Sequence, residues 1–190
     1  MQGKIRRVVT GHDADGKAIV LEDRPCPAVH TNPHRPGHVS FDLWRTSASP
    51  VVVKAEEPDP TEGPKVLHPP PHGTVFRISE IPPETEATRN IPPEQARAAF
   101  EAMGAGSAST FSQNRRHPFM HRTETVDYAV VLEGEIVMLL DQDEVHLKAG
   151  DVVIQRGTNH AWSNRSGKPV KMLYVLVDGE FDPALKAKFG

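Results

Sequence analysis

The sequence predicts an all-β fold in which short antiparallel strands form a sandwich or barrel. From residue 110 onward, short apolar runs alternate with turn residues such as Glu133-Gly134 and Ala149-Gly150-Asp151, and short strands joined in this way are typical of such folds. Most of the 18 prolines precede residue 100. Because proline lacks a backbone N–H, the first half is expected to be strands separated by long ordered loops. A chain of 190 residues is long enough to bury one substantial core.

Composition and charge exclude several classes of protein. The formal net charge is -3 with both signs interspersed, so no basic field indicates nucleic-acid binding. The single cysteine excludes an intrachain disulfide framework and is typical of a reducing compartment. The first residues lack the apolar segment of a secretory signal, and no apolar run reaches membrane-spanning length. We therefore expect a cytoplasmic protein that binds neither nucleic acid nor membrane.

The predicted elements follow the chain in a simple order. Residues 4–10 and 17–21 flank an Asp-Gly turn and predict a β-hairpin. Further strands are expected at residues 39–45, 73–81, 127–133, 135–140, 144–147, 152–155, 160–164 and 169–177. One short helix is predicted from Pro93, because Ala96, Phe100 and Met103 recur at helical spacing. We expect that apolar stripe to pack against the sheet.

Asp127 is the residue on which the functional interpretation depends. It begins the apolar run DYAVVLEG, in which no basic residue follows. A carboxylate in a strand buried on both faces is costly unless a charge or a metal compensates it. His121 and His160 are the nearest candidates to share a cation with it. Alternate residues of an extended strand point to the same face, which we call parity. By parity, His121 and Thr123 are expected to point to the same face as Asp127, and Trp162 to the same face as His160.

Two motifs in this region resemble those of the cupin superfamily. HRTETVDYAVVLEG, residues 121–134, is in register with the first cupin motif, which has two histidines, a glutamate and a glycine. GDVVIQRGTNHAWSN, residues 150–164, is in register with the second, which carries another histidine and an asparagine four residues later. The resemblance covers residues 115–178 and implies a double-stranded β-helix, or jelly roll. It implies a single domain: 1–110 with extra strands, loops and a helix, 111–178 as the barrel core, and 179–190 as a tail.

The resemblance also implies a metal site, with two departures. Thr123 stands where many cupins have the second histidine, and Asp127 stands where they have glutamate. The remaining set of His121, Asp127 and His160 suits a divalent Fe, Mn, Zn or Ni ion with open positions. Thr123 is expected to hold a metal-bound water, and Trp162 to form an apolar wall, so both are expected to serve catalysis. His117 is an alternative ligand.

Three smaller interpretations concern residues near the motifs. Gln155, which replaces the usual proline of the second motif, is expected to affect only the turn. Arg122 and Arg156 are expected to point away from the site by parity. His30, His34 and His38 have metal-like spacing in a proline-rich loop, but the interpretation as exposed loop histidines is favoured, since ligands need rigid support.

Two functions remain open at this point. The resemblance implies a metal-dependent enzyme that acts on a small carboxylated metabolite, and aromatic acids are one option. Its reaction would be decarboxylation, or oxygenation as in dioxygenases. The alternative is a cupin that binds or senses a small molecule without turnover. A metal-free barrel, in which Asp127 pairs with His121 or His160, is the structural alternative. The apolar strand after Asp127 also predicts a homodimer, because an exposed apolar sheet favours association.

Overall fold

The elements of the fold are almost all β-strands. The computed structural model of the protein describes residues 4–189. Its strands are β1 (Arg6–His12), β2 (Ala18–Pro25), β3 (Val29–Thr31), β4 (Val39–Thr46), β5 (Thr74–Ile81), β6 (Thr125–Glu133), β7 (Glu135–Leu140), β8 (Glu144–Lys148), β9 (Val152–Arg156), β10 (His160–Ser163) and β11 (Val170–Asp178). The helices of the described residues are α1 (Glu86–Arg89), α2 (Pro93–Glu101) and α3 (Pro183–Lys186), with one 3-10 turn at Gly106–Ala108.

Two antiparallel sheets face each other and form the jelly roll. The larger sheet has the strand order β3-β4-β5-β11-β6-β9, and the smaller has the order β10-β7-β8. Apolar side chains from both sheets meet between them. This central core consists of Ile81, Ala129, Val131, Ile136, Met138, Leu147, Trp162, Val170 and Met172. The predicted all-β fold is therefore confirmed.

The larger sheet carries a row of polar side chains across three of its strands. Tyr174 of β11 lies opposite Arg77 of β5, and Arg77 lies opposite Asp42 of β4. The Arg77 guanidinium donates to both Asp42 carboxylate oxygens, at 2.6 and 3.2 Å, and Arg45 donates to the same carboxylate at 2.6 Å. Arg77 also donates to the carbonyl of Val66 at 2.6 Å. The Asp42 carboxylate thus links β4 to β5, and the Arg77 side chain anchors the long loop before β5.

The predicted hairpin is present at the start of the chain. β1 and β2 pair antiparallel and form a sheet of their own. The residues that follow β2 contribute Cys26 to a second apolar cluster with Val39, Phe41, Leu43 and Ile78. This cluster lies beside the strands β4 and β5, so the N-terminal segment covers part of the larger sheet. Among the described residues, no helix is both long and apolar enough to cross a membrane.

The helix α2 does not pack against the sheet as expected. Its buried residues Ala99 and Phe100 form a cluster with Leu67, Ala105, Ala108 and Phe119, which belong to loops and to the 3-10 turn. Phe100 and Phe119 make an edge-on aromatic contact with ring centroids 6.4 Å apart. The sequence periodicity predicts that one face of α2 is buried, but it does not predict the loop residues against which that face packs. The short strand β3, expected to be loop, was also missed.

Core packing gives a first testable prediction. Ile136 lies at the centre of the core with 2% of its surface exposed, whereas Ile19 of the hairpin is 39% exposed. We expect Ile136→Ala to lower the free energy of unfolding by about 2–5 kcal/mol, because it removes buried methyl groups and leaves a cavity. The matched change Ile19→Ala should cost less than about 1 kcal/mol. Urea unfolding monitored by circular dichroism measures both, and equal losses would contradict the assigned core.

Candidate functional site

A cavity of about 130 Å³ lies at one end of the barrel, between the larger sheet, β10 and the loops that carry α2. Its apolar wall is formed by Leu67, Ile81, Ala99, Phe100, Met103, Phe119, Trp162 and Leu176. Its polar wall is formed by Asn32, Arg35, His38, Lys65, Arg77, Ser79, His121, Asp127, His160 and Tyr174. The three predicted metal ligands and Trp162 are therefore all present in one cavity.

His121 and His160 lie side by side in this wall. Their backbones form two hydrogen bonds of 2.9 Å, in which the N–H of each residue donates to the carbonyl of the other. The ring centroids are consequently 4.2 Å apart. Burial lowers the pKa of His121 to about 4 and lowers the pKa of His160 well below its usual value. Both imidazoles are therefore neutral at pH 7.

Each imidazole is held in place through its Nδ1 atom. Nδ1 of His121 lies 3.0 Å from the carbonyl of Phe119. Nδ1 of His160 lies 2.9 Å from the carbonyl of Thr158 and 2.8 Å from Nε2 of Gln155. Nδ1 donates to the carbonyl in one tautomer and accepts from the amide in the other, and only the first leaves Nε2 unprotonated. In the described part of the chain, no protein atom forms a hydrogen bond with Nε2 of either ring. Nε2 is thus the atom that each ring offers to the cavity.

Gln155 has a larger role than expected. Its Oε1 accepts a hydrogen bond from the N–H of Gly157 at 2.8 Å, so the amide does shape the turn. Its Nε2 also donates to the carbonyl of Thr158 at 3.1 Å and contacts the ring of His160. Because these contacts fix the orientation of the His160 ring, Gln155 belongs to the site. The expectation that it affects only the turn was wrong.

Asp127 is the buried acid that the sequence indicated. Its side chain is 6% exposed, and its Oδ1 atom has no hydrogen-bond partner among the described residues. Burial raises the pKa of Asp127 to about 6, and a hydrogen bond from the Thr125 side chain opposes this shift. An unsatisfied buried carboxyl oxygen is costly. The cavity therefore leaves Asp127 available to a proton, a cation or a ligand.

The donor atoms suit a metal in kind, but they are not gathered around one point. Two neutral imidazoles and a carboxyl group with an unpaired oxygen are the ligand types that Fe, Mn, Zn and Ni accept. In residues 4–189, however, no group of three or more His, Cys, Asp or Glu side chains is arranged to hold a metal ion. The assignment of His121, Asp127 and His160 as metal ligands stays a prediction.

The structure corrects the expectation for Thr123. Parity placed it beside Asp127, but β6 begins only at Thr125, so the segment before it is not extended strand. Thr123 is buried away from the cavity wall, and its hydroxyl lies 2.7 Å from that of Thr125. Trp162, in contrast, does line the cavity and makes edge-on contacts with His160 and Tyr174 at 5.8 and 5.6 Å between ring centroids.

The remaining histidines and arginines named from the sequence lie elsewhere. His117 is engaged by Glu84, with Nε2 and Oε1 2.7 Å apart, and its Nδ1 accepts from the N–H of Phe119. Arg122 stacks on Phe189 with 3.8 Å between Cζ and the ring centroid, and Arg156 is exposed. None of these residues is part of the cavity wall.

The loop histidines are less exposed than expected. His30 lies on β3 with Nε2 3.7 Å from the Asp42 carboxylate, and His38 lines the cavity. Burial lowers the pKa of both rings. The interpretation of these two as exposed loop residues was therefore wrong, although His30, His34 and His38 form no metal cluster among the described residues.

Arg35, Lys65 and Tyr174 were not singled out from the sequence, and all three line the cavity. Tyr174 lies in the strand segment KMLYVLV, whose polar side chains are Lys171 and the Tyr174 phenol. Burial raises the pKa of Tyr174, so its hydroxyl stays protonated and able to donate. Arg35 and Lys65 come from irregular loops, where periodicity carries no information about direction.

Fold and site together define a member of the cupin superfamily, and the chain belongs to it. The family described as "Cupin domain" matches residues 102–176. The phomopsin biosynthesis cluster protein C' of Diaporthe leptostromiformis is 33% identical over 182 residues, which cover 92% of this chain and 78% of that protein. The cupin-domain-containing oxidoreductase virC of Hypocrea virens is 27% identical over 183 residues, covering 90% and 75%. The cupin domain of Schizosaccharomyces pombe Cnp3 overlays with a TM-score of 0.43 and 11% identity, covering 98% of this chain and 93% of that one.

The raised pKa of Asp127 predicts a pH-dependent effect of Asp127→Asn in chelator-treated protein. The folded-state pKa of about 6 exceeds the usual 3.8, so the buried ionised form destabilises the fold above pH 6 and this cost disappears as pH falls toward 4. The Asn variant should therefore be more stable than the parent by about 3 kcal/mol at pH 8 and equally stable at pH 4. Denaturant unfolding at both pH values measures this difference.

The exposed Asp143 supplies the control for this measurement. Asp143→Asn should change the free energy of unfolding by less than about 0.5 kcal/mol at either pH. A loss of stability in Asp127→Asn at pH 8 would contradict the raised pKa of Asp127, because it would show that the fold stabilises the ionised carboxylate.

Proposed function

We propose that this chain is an oxidoreductase that acts on a small molecule held in the barrel cavity. The observation that carries the proposal is the meeting of two neutral imidazoles and an unpaired carboxyl group, from His121, His160 and Asp127, in one largely apolar cavity. Relatives that align with most of this chain, including virC of Hypocrea virens and fogC of Aspergillus ruber, are named oxidoreductases. Their names favour oxidation or oxygenation over decarboxylation.

The protein side chains would position the substrate and handle its protons. Trp162 and Phe119 offer flat apolar surfaces against which a ring or an aliphatic chain can lie. The Tyr174 hydroxyl, which burial keeps protonated, can donate to a substrate oxygen. In protein without bound metal, Asp127 can accept or release a proton near neutral pH, since its pKa is about 6. The enclosure of these groups excludes bulk water from the reacting atoms.

A divalent metal is part of the proposal, with Nε2 of His121, Nε2 of His160 and the Asp127 carboxylate as its ligands. The free Nε2 atoms and the orphaned Oδ1 support this assignment. Such an ion would supply Lewis acidity and, in the case of iron, electron transfer to dioxygen as the oxidant. Since the three groups are not gathered around one point, binding requires their side chains to converge.

A second candidate function is binding or sensing without turnover. The absence of a preassembled three-ligand group in the described residues favours it. A metal-free cavity with neutral imidazoles and a phenol would still offer hydrogen bonds to a small ligand. The two candidates differ in a measurable way, because only the enzyme consumes an oxidant.

The enzyme proposal predicts metal-dependent oxygen uptake. We expect protein purified without a chelating tag and reloaded with Fe(II) to hold about one ion per chain and to consume O2 in the presence of a compound from a panel of small carboxylates and phenols. His121→Ala and His160→Ala should each reduce metal content and lower the rate by roughly 100-fold or more. Elemental analysis and an oxygen electrode measure the two quantities.

The exposed histidine of β8 provides a matched control. His146 has 76% of its side chain exposed, so His146→Ala should leave both metal content and rate unchanged. Full metal occupancy in both cavity variants would refute the ligand assignment. A ligand that raises the melting temperature without any oxygen uptake would favour the binding function instead.

We propose further that the protein forms a homodimer through the β9 edge of the larger sheet. β9 ends the strand order, so one side of it has no pairing partner among the described strands. Its residues Val152 and Ile154 point outward and are exposed, and Tyr128 lies opposite Ile154 on β6. An apolar edge of this kind favours pairing with a second copy.

The dimer proposal is tested by the mass in solution. Multi-angle light scattering at micromolar concentration should give twice the chain mass, and Ile154→Glu should give the monomer, because a carboxylate would be buried in the interface. Ile19→Glu, on the hairpin, is the matched control and should leave the dimer intact. A monomer mass for the parent protein would refute the proposal.

A further inference from the structure

The cavity contains a buried guanidinium that has no carboxylate partner. Arg35 lies in the loop between β3 and β4 and is 9% exposed. Its Nη2 donates to the carbonyl of Trp162 at 3.2 Å, and its Cζ lies 4.9 Å from the centroid of the Phe119 ring. Among the described residues, no Asp or Glu forms an ion pair with it; the nearby Glu84 is bound to His117 and Ser163. Most of the five N–H donors of Arg35 are thus unused.

A second cation reaches the cavity from another loop. Lys65 lines the same cavity and has neither a hydrogen bond nor an ion pair within residues 4–189. Burial, with the neighbouring Arg77, lowers the pKa of Lys65 to about 7. Arg77 itself shares the single carboxylate of Asp42 with Arg45. The polar wall on this side therefore carries Arg35, Arg77 and, when protonated, Lys65. They are opposed by the Asp42 carboxylate, which Arg45 also shares, and by Glu84, which acts on Arg35 without a direct ion pair.

An uncompensated buried cation is costly, and arginine does not lose its proton to relieve the cost. The positive charge on this side of the cavity therefore favours the binding of an anion. A planar guanidinium with free donors matches a carboxylate group, which accepts two hydrogen bonds from it. A second positive side chain close by strengthens the same preference.

The remaining cavity wall limits the size and polarity of the ligand's body, which is the part of the ligand beyond its anionic group. Beyond its charged groups, the wall is formed largely by apolar and aromatic side chains such as Phe100, Met103, Phe119 and Trp162. The volume of about 130 Å³ is close to the roughly 150 Å³ of an apolar protein cavity that accepts benzene. One ring, or an aliphatic chain of similar size, would fill it.

We propose that Arg35 and Lys65 form an anion-binding subsite and that the ligand of this cavity is a small monocarboxylic acid with an apolar body. The carboxylate would lie between the two cations, with the body toward Trp162 and the histidine pair. This inference rests on the proposed function only in that the ligand occupies the same cavity.

The test measures binding in chelator-treated protein, where turnover plays no part. Benzoate, hexanoate and the neutral analogue benzamide are titrated into the parent protein by isothermal calorimetry. We expect at least one carboxylate to bind, and benzoate to bind at least tenfold more tightly than benzamide. Arg35→Gln and Lys65→Met should each weaken benzoate binding by roughly 10- to 100-fold, the range expected for loss of a charge-assisted hydrogen bond. Benzamide affinity should change less than twofold.

Matched controls come from exposed positions. Arg156→Gln and Lys54→Met remove the same charges from the surface and should leave both affinities unchanged. If Arg35→Gln does not fold by circular dichroism, Lys65→Met alone decides. Equal binding of benzoate and benzamide, retention of the benzoate preference in a folded cavity variant, or no binding of either carboxylate would each overturn the proposal. Benzoate binding to the chelator-treated protein, with no oxygen uptake by the Fe(II)-loaded protein for any compound of the panel, would sustain the subsite and refute only the oxidoreductase function.

Discussion

The site depends on the position of β11 in the larger sheet. Because β11 pairs with β5 on one side and with β6 on the other, only one strand separates a strand from the first half of the chain from the strand of the first cupin motif. The register sets Tyr174 beside Arg77 and sets Asp127 beside Leu176. Charged and polar groups far apart in the sequence therefore share one surface inside the barrel, and backbone hydrogen bonds fix their spacing.

Much of the fold could be predicted from the sequence because its signals are local. Apolar runs and turn residues placed ten strands within four residues of their observed bounds, and the bounds of β7 coincide with the predicted 135–140. Asp127 was recognisable because a carboxylate inside an apolar strand has few explanations. Thr123 lies where such local signals do not apply. Parity assigns a face only within an extended strand, and the chain bends between His121 and Thr125.

The cationic wall of the cavity had no comparable signal. The direction of Arg35 is set by an irregular loop in which its own N–H donates to the carbonyl of Asn32. Lys65 is positioned by the neighbouring Val66, whose carbonyl accepts from Arg77, and by Leu67, whose N–H donates to the carbonyl of Met103. The contacts of Val66 and Leu67 are tertiary contacts between separate segments, and the Arg35 turn lies in an irregular loop. They follow from the assembled barrel and have no period along the chain by which they could be recognised.

The cavity is built from two parts of the chain that are independent in sequence. The segment that matches the family, residues 102–176, supplies His121, Asp127 and His160. Arg35, Lys65 and the helix α2 lie outside it and close the other side of the cavity. Loops tolerate substitution better than barrel strands do. Under the proposed anion subsite, the choice of compound can therefore diverge between related cupins while the proposed metal ligands stay the same, and a shared barrel motif says little about which compound each protein accepts.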